Sequence, residues 1–214
     1  MNNLKKLIVY FLKHSPRLLG RTDLMKYVFS FEYYYFQLKK EQYTETKFVR
    51  YHYGPNDTLV VDATLSLEKE GIVKITEGQN AYGSISYQHK YVGTIDDPYE
   101  GLPEEAELVA CFIIDRLGKE SYRGVIDFAY DIPPMRFIIE EESRGSTKFN
   151  GRVLDMDQKE KVFKSTRQQK EEARKRLKAR LYSDCSSEEY YAHLMEQQDM
   201  FEDVRRRISI VDKA

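Results

Sequence analysis

Between Thr22 and Lys40 the chain carries a helical segment with almost no polar side. Leu24, Tyr27, Val28, Phe31, Tyr34, Tyr35 and Leu38 line one face, and Met25, Phe29, Tyr33 and Phe36 line another. A helix that is apolar nearly all round cannot rest on a surface. It lies at the centre of a domain or buries one face in a partner. Burial in the chain's own core is the favoured reading, since central helices of small domains have this composition, while Tyr33 and Tyr34 stay candidates for partner contact. Thr22 reads as the N-cap, with Asp23 where the helix dipole favours an anion.

The elements around that helix follow from local patterns. Leu4, Leu7, Ile8, Phe11 and Leu12 make the apolar stripe of a first helix that Ser15-Pro16 ends. In Phe48-Val49-Arg50-Tyr51-His52-Tyr53, Val49, Tyr51 and Tyr53 alternate with Arg50 and His52, the period of a half-buried strand, with the tyrosines open to a role in the core or in contact. Gly54-Pro55 ends the strand. Asn56 and Asp57 then cap a helix in which Val60, Ala63, Thr64 and Leu67 recur up to Gly71. Two runs, 71–76 and 83–87, flank Glu77-Gly78-Gln79-Asn80 and read as a β-hairpin. Six acidic residues and no basic ones lie between Asp96 and Glu107. Their spacing is not that of a calcium loop, and Pro103-Glu104-Glu105 fits the negative first turn of a helix. That helix directs Ala106, Val109, Ala110, Ile113 and Leu117 inward and holds Cys111 as a small core residue. A shorter helix from Ser121 to Tyr130 stops at Asp131-Ile132-Pro133-Pro134-Met135.

The expected architecture is mainly α with a small β-hairpin, an α+β fold that is partly winged-helix-like. As a DNA reader it would use Met25 to Lys40, yet that segment offers aromatics where arginine, lysine or asparagine reach phosphates and base edges. The chain has 214 residues and a formal charge of −1, enough length for one good core and too little positive charge for a uniformly basic nucleic-acid binder. Its longest apolar runs are too short to span a bilayer, and no signal-peptide cleavage pattern follows the N-terminal lysines, so a cytoplasmic location is expected. Two cysteines, Cys111 and Cys185, give no disulfide framework.

Beyond about Asn150 the composition changes. Residues 158–181 hold ten Lys or Arg against three Glu, whereas residues 182–214 hold four basic and eight acidic residues. The first stretch reads as a solvated basic helix. Ser186 and Glu189 match a capping box for a second helix, and together they form an antiparallel hairpin. The division is therefore 1–150, a compact domain, and 151–214, a charged helical extension. Arg174, Arg176 and Arg180 are the candidates there for contact with an acidic partner surface or with nucleic acid.

No catalytic constellation is legible. His14, His52, His89 and His193 are scattered, with no zinc spacing and no Gly-rich phosphate loop, so no cofactor, metal or catalytic residue is expected. His52 reads as a surface histidine.

The order of an N-terminal amphipathic helix, the aromatic Leu24-Met25-Lys26-Tyr27 helix, Tyr53-Gly54-Pro55, a helix end from Leu67 to Ile72, an acidic helix, Phe128-Ala129-Tyr130 and Pro133-Pro134-Met135 resembles the Panacea domain family, also called SocA-like. The resemblance covers about residues 4 to 140. It implies a small, mostly helical domain, no enzyme, and direct contact with a cognate protein toxin, with an adaptor role for a protease also found in the family. Gly54, Pro55, Pro133, Pro134 and Met135 would fix its shape. Tyr51, His52, Tyr53 and the tyrosine helix would supply contact, since tyrosine and arginine dominate binding hot spots. A nucleic-acid-binding regulator is the alternative, and self-association is left open.

Overall fold

The computed structural model describes residues 2–159 apart from 80–82, 84, 94–97, 100 and 146, together with two helical positions, Glu171 and Lys175. In chain order the elements are α1 (Asn2–His14), β1 (Leu19–Gly20), α2 (Arg21–Lys39), β2 (Val49–Tyr51), β3 (Gly54–Asn56), α3 (Thr58–Lys69), β4 (Val73–Gln79), β5 (Ile85–Tyr91), α4 (Glu104–Leu117), α5 (Tyr122–Asp131) and α6 (Pro133–Arg144). The fold is mainly α with small antiparallel sheets, as the patterns predict.

Helix α2 is the axis of the core. Every residue from Asp23 to Tyr33 is buried, and α1, α3, α4, α5 and the sheet all pack on it. Thr22 is not its cap. Gly20 occupies that position, and the Asp23 carboxylate reaches back to accept from the Gly20 N–H at 3.0 Å while pairing with Arg17 at 2.9 Å. An acid at the third helical position both satisfies an orphan donor and complements the dipole. The stripe of α1 packs as read, with Leu4, Leu7, Ile8 and Phe11 fully buried, and Phe11 meets Tyr27 and Phe31 edge to face. Deeper in α2, Glu32 is buried and accepts from the backbone N–H groups of Tyr43 (3.1 Å) and Thr44 (3.0 Å), so one carboxylate organises the turn after the helix. Burial pushes its pKa up to about 7 against the opposing pull of those bonds.

The hairpin expected after α3 forms with Val73 opposite Tyr91 and Gln79 opposite Ile85. It carries a third strand that the patterns miss: Leu19 and Gly20 pair with His89 and Gln88, giving the order β1-β5-β4. A two-residue strand is too short to show a period. His89 is buried at this seam and its Nδ1–H donates to the Leu19 carbonyl at 3.1 Å. Helix, short strand, two helices and a hairpin whose second strand pairs with the first strand is the connectivity of a winged helix. In that connectivity the reading position falls to α3, not to the buried α2. Its outward residues include Asp62, Leu65, Glu68 and Lys69, a face with little to attract phosphate.

Two further expectations are corrected. Pro133 and Pro134 do end α5, but they also occupy the first two positions of α6, where a missing N–H costs nothing and a fixed φ favours the helix. Cys111 is exposed on α4 rather than in the core, and its Sγ lies 3.2 Å from the Tyr10 hydroxyl, which also donates to Glu107. By contact, the first compact unit spans Met1–Glu160. Val153 bridges to Val49, and Leu154 and Met156 are buried in the same core. The proposed C-terminal helices, the capping box at Ser186 and Glu189, and Arg174, Arg176 and Arg180 lie outside the described residues. No described helix is long and apolar enough to cross a membrane.

Candidate functional site: a clamped hairpin tip over a buried lysine

The segment read as a single strand ending at Gly54-Pro55 is instead a tight hairpin. Strands β2 and β3 pair Val49 with Asn56, Arg50 with Pro55 and Tyr51 with Gly54, leaving His52 and Tyr53 as the turn. Gly54 has φ of +92°, which lets the chain reverse directly after Tyr53. Asp57 then caps α3, accepting from the Leu59 N–H at 2.9 Å.

The alternation in β2 turns Arg50 inward and the tyrosines outward. Arg50 is buried, whereas Tyr51 is 48% and Tyr53 76% exposed. The reason lies far along the chain. The Arg50 guanidinium forms a two-point ion pair with Glu142 of α6, Nε to Oε1 at 3.1 Å and Nη2 to Oε2 at 3.0 Å. Its other Nη donates to the Tyr51 carbonyl. Glu142 also accepts from the Phe149 N–H at 2.9 Å. Burial alone would raise the Glu142 carboxyl, but Arg50 and the Phe149 N–H outweigh it and hold the group below the usual carboxylate range. A fork-to-fork pair of this kind fixes direction as well as distance. It anchors the root of the hairpin while the tip stays in solvent.

Lys26 lies beneath this hairpin. It is 3% exposed, and its Nζ donates to the Pro55 carbonyl at 2.9 Å. No carboxylate among the described residues pairs with it. Burial, with the nearby Arg50 charge adding to it, pushes Lys26 down to about 7. Gly54 is required at this spot for a second reason: a Cβ there would sit 2.7 Å from the Tyr130 ring and 3.2 Å from Lys26 Nζ. Lys26, Gly54, Tyr51 and Tyr53 line a pocket of about 150 Å³, closed further by Met25 and Thr22. Beside it runs a groove of about 630 Å³ lined by Leu18, Arg21, Thr22, Ile85, Tyr87 and Tyr122. Arg21 and Thr22 border both, and the Arg21 guanidinium lies 3.9 Å over the Tyr87 ring.

The structure thus gathers Tyr51, His52 and Tyr53 at one exposed tip, with the His52 ring edge-on to Tyr51 at 4.7 Å. It separates them from the other tyrosine candidates. Tyr33 is 7% exposed, and Tyr34 is partly buried against Phe112 and Phe128, so these two belong to the packing of α2 against α4 and α5. Gly54, Pro55, Pro133, Pro134 and Met135 are all buried. Three residues of the site went unread in the sequence. Lys26 is a lone cation inside an otherwise apolar helix and Arg50 a lone cation within a strand, signals that could have marked both; Glu142 has no local mark.

No family model, curated protein or solved structure matches the chain.

Proposed function

We propose that this chain is a protein-binding module of the antitoxin type, acting in the cytoplasm, which neutralises a cognate protein toxin by covering its active surface. The observation that carries the proposal is the hairpin tip: two large exposed tyrosines on a turn whose root is fixed by the Arg50–Glu142 pair. Aromatic side chains held in place before binding lose little conformational freedom on association, which is the common character of interface hot spots. The adjoining groove adds Leu18, Ile85 and Tyr122, each exposed, and the Arg21 guanidinium. The order of motifs that resembles the Panacea family supports the same reading.

Nucleic acid is the weaker partner for this surface, since α3 turns Asp62 and Glu68 outward at the position a winged helix would use for reading. An adaptor role for a protease would use the same tip with a different consequence, turnover of the bound client.

Co-expression with the product of the neighbouring open reading frame tests the proposal. That product should arrest growth alone and be silenced by this chain, and Tyr53→Ala combined with Tyr51→Ala should abolish the rescue while leaving the fold intact by circular dichroism. A neighbour that is harmless alone and forms no complex, or rescue indifferent to the tip, would sink it. Loss of the neighbour's protein rather than its activity would indicate the adaptor instead.

A further inference from the structure

We propose that the pocket under the hairpin tip binds a small carbonyl compound as a reversible imine on Lys26 Nζ. The site adjoins the exposed protein-contact surface and shares Tyr51 and Tyr53 with it as one wall. Three observations converge. Lys26 is almost wholly buried with no carboxylate partner among the described residues, its one hydrogen bond running to a backbone carbonyl. It lines a cavity of about 150 Å³, a volume of the order that holds a ligand of benzene size. Burial disfavours the ammonium form, and the charge of a second cation, Arg50, acts in the same direction. A lysine desolvated in a pocket beside another cation is the arrangement that makes an amine nucleophilic near neutral pH.

Groups from β2, β3, α5 and the start of α2 surround Lys26. Arg50 comes from β2 and is paired with Glu142 of α6; the Pro55 carbonyl comes from β3; the Tyr130 ring of α5 lies against Gly54. Arg21 and Thr22 border the cavity from the start of α2. In the neutral amine the nitrogen lone pair attacks the carbonyl carbon, a C–N bond forms, and the carbonyl π electrons move to oxygen, which takes a proton. The carbinolamine then expels that oxygen as water as nitrogen loses its remaining proton, leaving C=N. No oxidant or reductant is consumed, and hydrolysis reverses the step.

The full chain incubated with propanal, or with glyoxylate to ask whether Arg21 favours an anionic carbonyl, and trapped with cyanoborohydride should gain one adduct before any other. Peptide mapping should place it on Lys26. At pH 7 a lysine with a pKa near 7 carries about a thousandfold more free amine than one at the ordinary value near 10.4, so Lys26 should be labelled at least tenfold faster than exposed Lys69, Lys74 and Lys90. Its rate should rise from pH 6 to 8 and then level, while theirs continues to climb. Lys26→Met should remove the first adduct. The pH profile on the unaltered protein decides the matter where that variant fails to fold. Labelling of Lys26 no faster than the exposed lysines, or no labelling of it at all, overturns the proposal and leaves Lys26 as a structural donor to Pro55.

Discussion

Replacing Glu142 with alanine would strand the Arg50 guanidinium, which is buried and has its two-point partner in that one carboxylate. Removing one partner of a buried pair costs about 3–5 kcal/mol, whereas replacing both with apolar residues of similar volume is often close to neutral. Glu142→Ala should therefore lower the urea midpoint sharply, and Arg50→Met with Glu142→Leu should recover most of the loss. Gly54 poses a backbone question on the same few ångströms. Gly54→Ala should cost on the order of 1–3 kcal/mol through its positive φ, with a further penalty because the new methyl would meet the Tyr130 ring at 2.7 Å. Gly71 has φ of +75° and nothing within 4 Å, so Gly71→Ala isolates the backbone part. Equal losses for the two variants in chemical denaturation would show that the contact with Tyr130 carries no weight.

Elements differ in how openly they declare themselves. The buried faces of α3 and α4 were legible residue by residue, because Val60, Ala63, Thr64 and Leu67, and then Ala106, Val109, Ala110, Ile113 and Leu117, repeat at helical spacing and all are buried. Strand β2 was legible as a strand, whereas the choice of its buried face stayed open. Tyrosine suits either side of a sheet, and the residue that draws Arg50 inward lies 92 positions away. Helix α6 was hidden by its own start signal, since two prolines stop one helix as readily as they begin the next. The tip of the candidate site showed in the sequence as Tyr51-His52-Tyr53-Gly54-Pro55, whereas the lysine beneath it did not. Lys26 stands alone among apolar neighbours, but a lysine so placed can also run its stem along the core and keep its charge in water. The end of the first unit makes a prediction at this scale. A chain ending at Asn150 loses Leu154, Met156 and the Val153 bridge to Val49, so it should unfold several degrees below a chain ending at Glu160 in a thermal melt. Coincident transitions would mean the segment adds no stability.

For the molecule as a whole, two buried groups on α2 give stability an unusual dependence on pH. Glu32 sits at about 7 in the fold against a usual 4.5. Between those values the native state holds a proton that the unfolded chain has lost, so the contribution of Glu32 declines as pH rises through this range. Lys26 sits at about 7 against a usual 10.5. Above pH 7 the unfolded chain holds the extra proton, so stability from Lys26 grows as pH rises toward 10.5. Folding that moves a pKa by one pH unit changes stability by about 1.4 kcal/mol, and for these two groups taken alone neutrality is the least favourable point, while His89, held below its ordinary value by burial, adds stability as pH rises through the imidazole range. Urea midpoints measured from pH 5 to 9 should show Glu32→Gln flattening the falling limb and Lys26→Met the rising one; slopes unchanged in both variants would contradict this account. The Arg50–Glu142 pair has a consequence of another kind, in the order of synthesis. The sheet β1-β5-β4 and α1 to α3 are all encoded before residue 92, so a chain emerging from the ribosome has the parts of its winged portion well before Glu142 exists. Until that residue arrives, Arg50 lacks the carboxylate it pairs with in the fold, and its guanidinium favours water. The hairpin tip should therefore be the last part of the early-made region to set, completed only when α6 has left the exit tunnel.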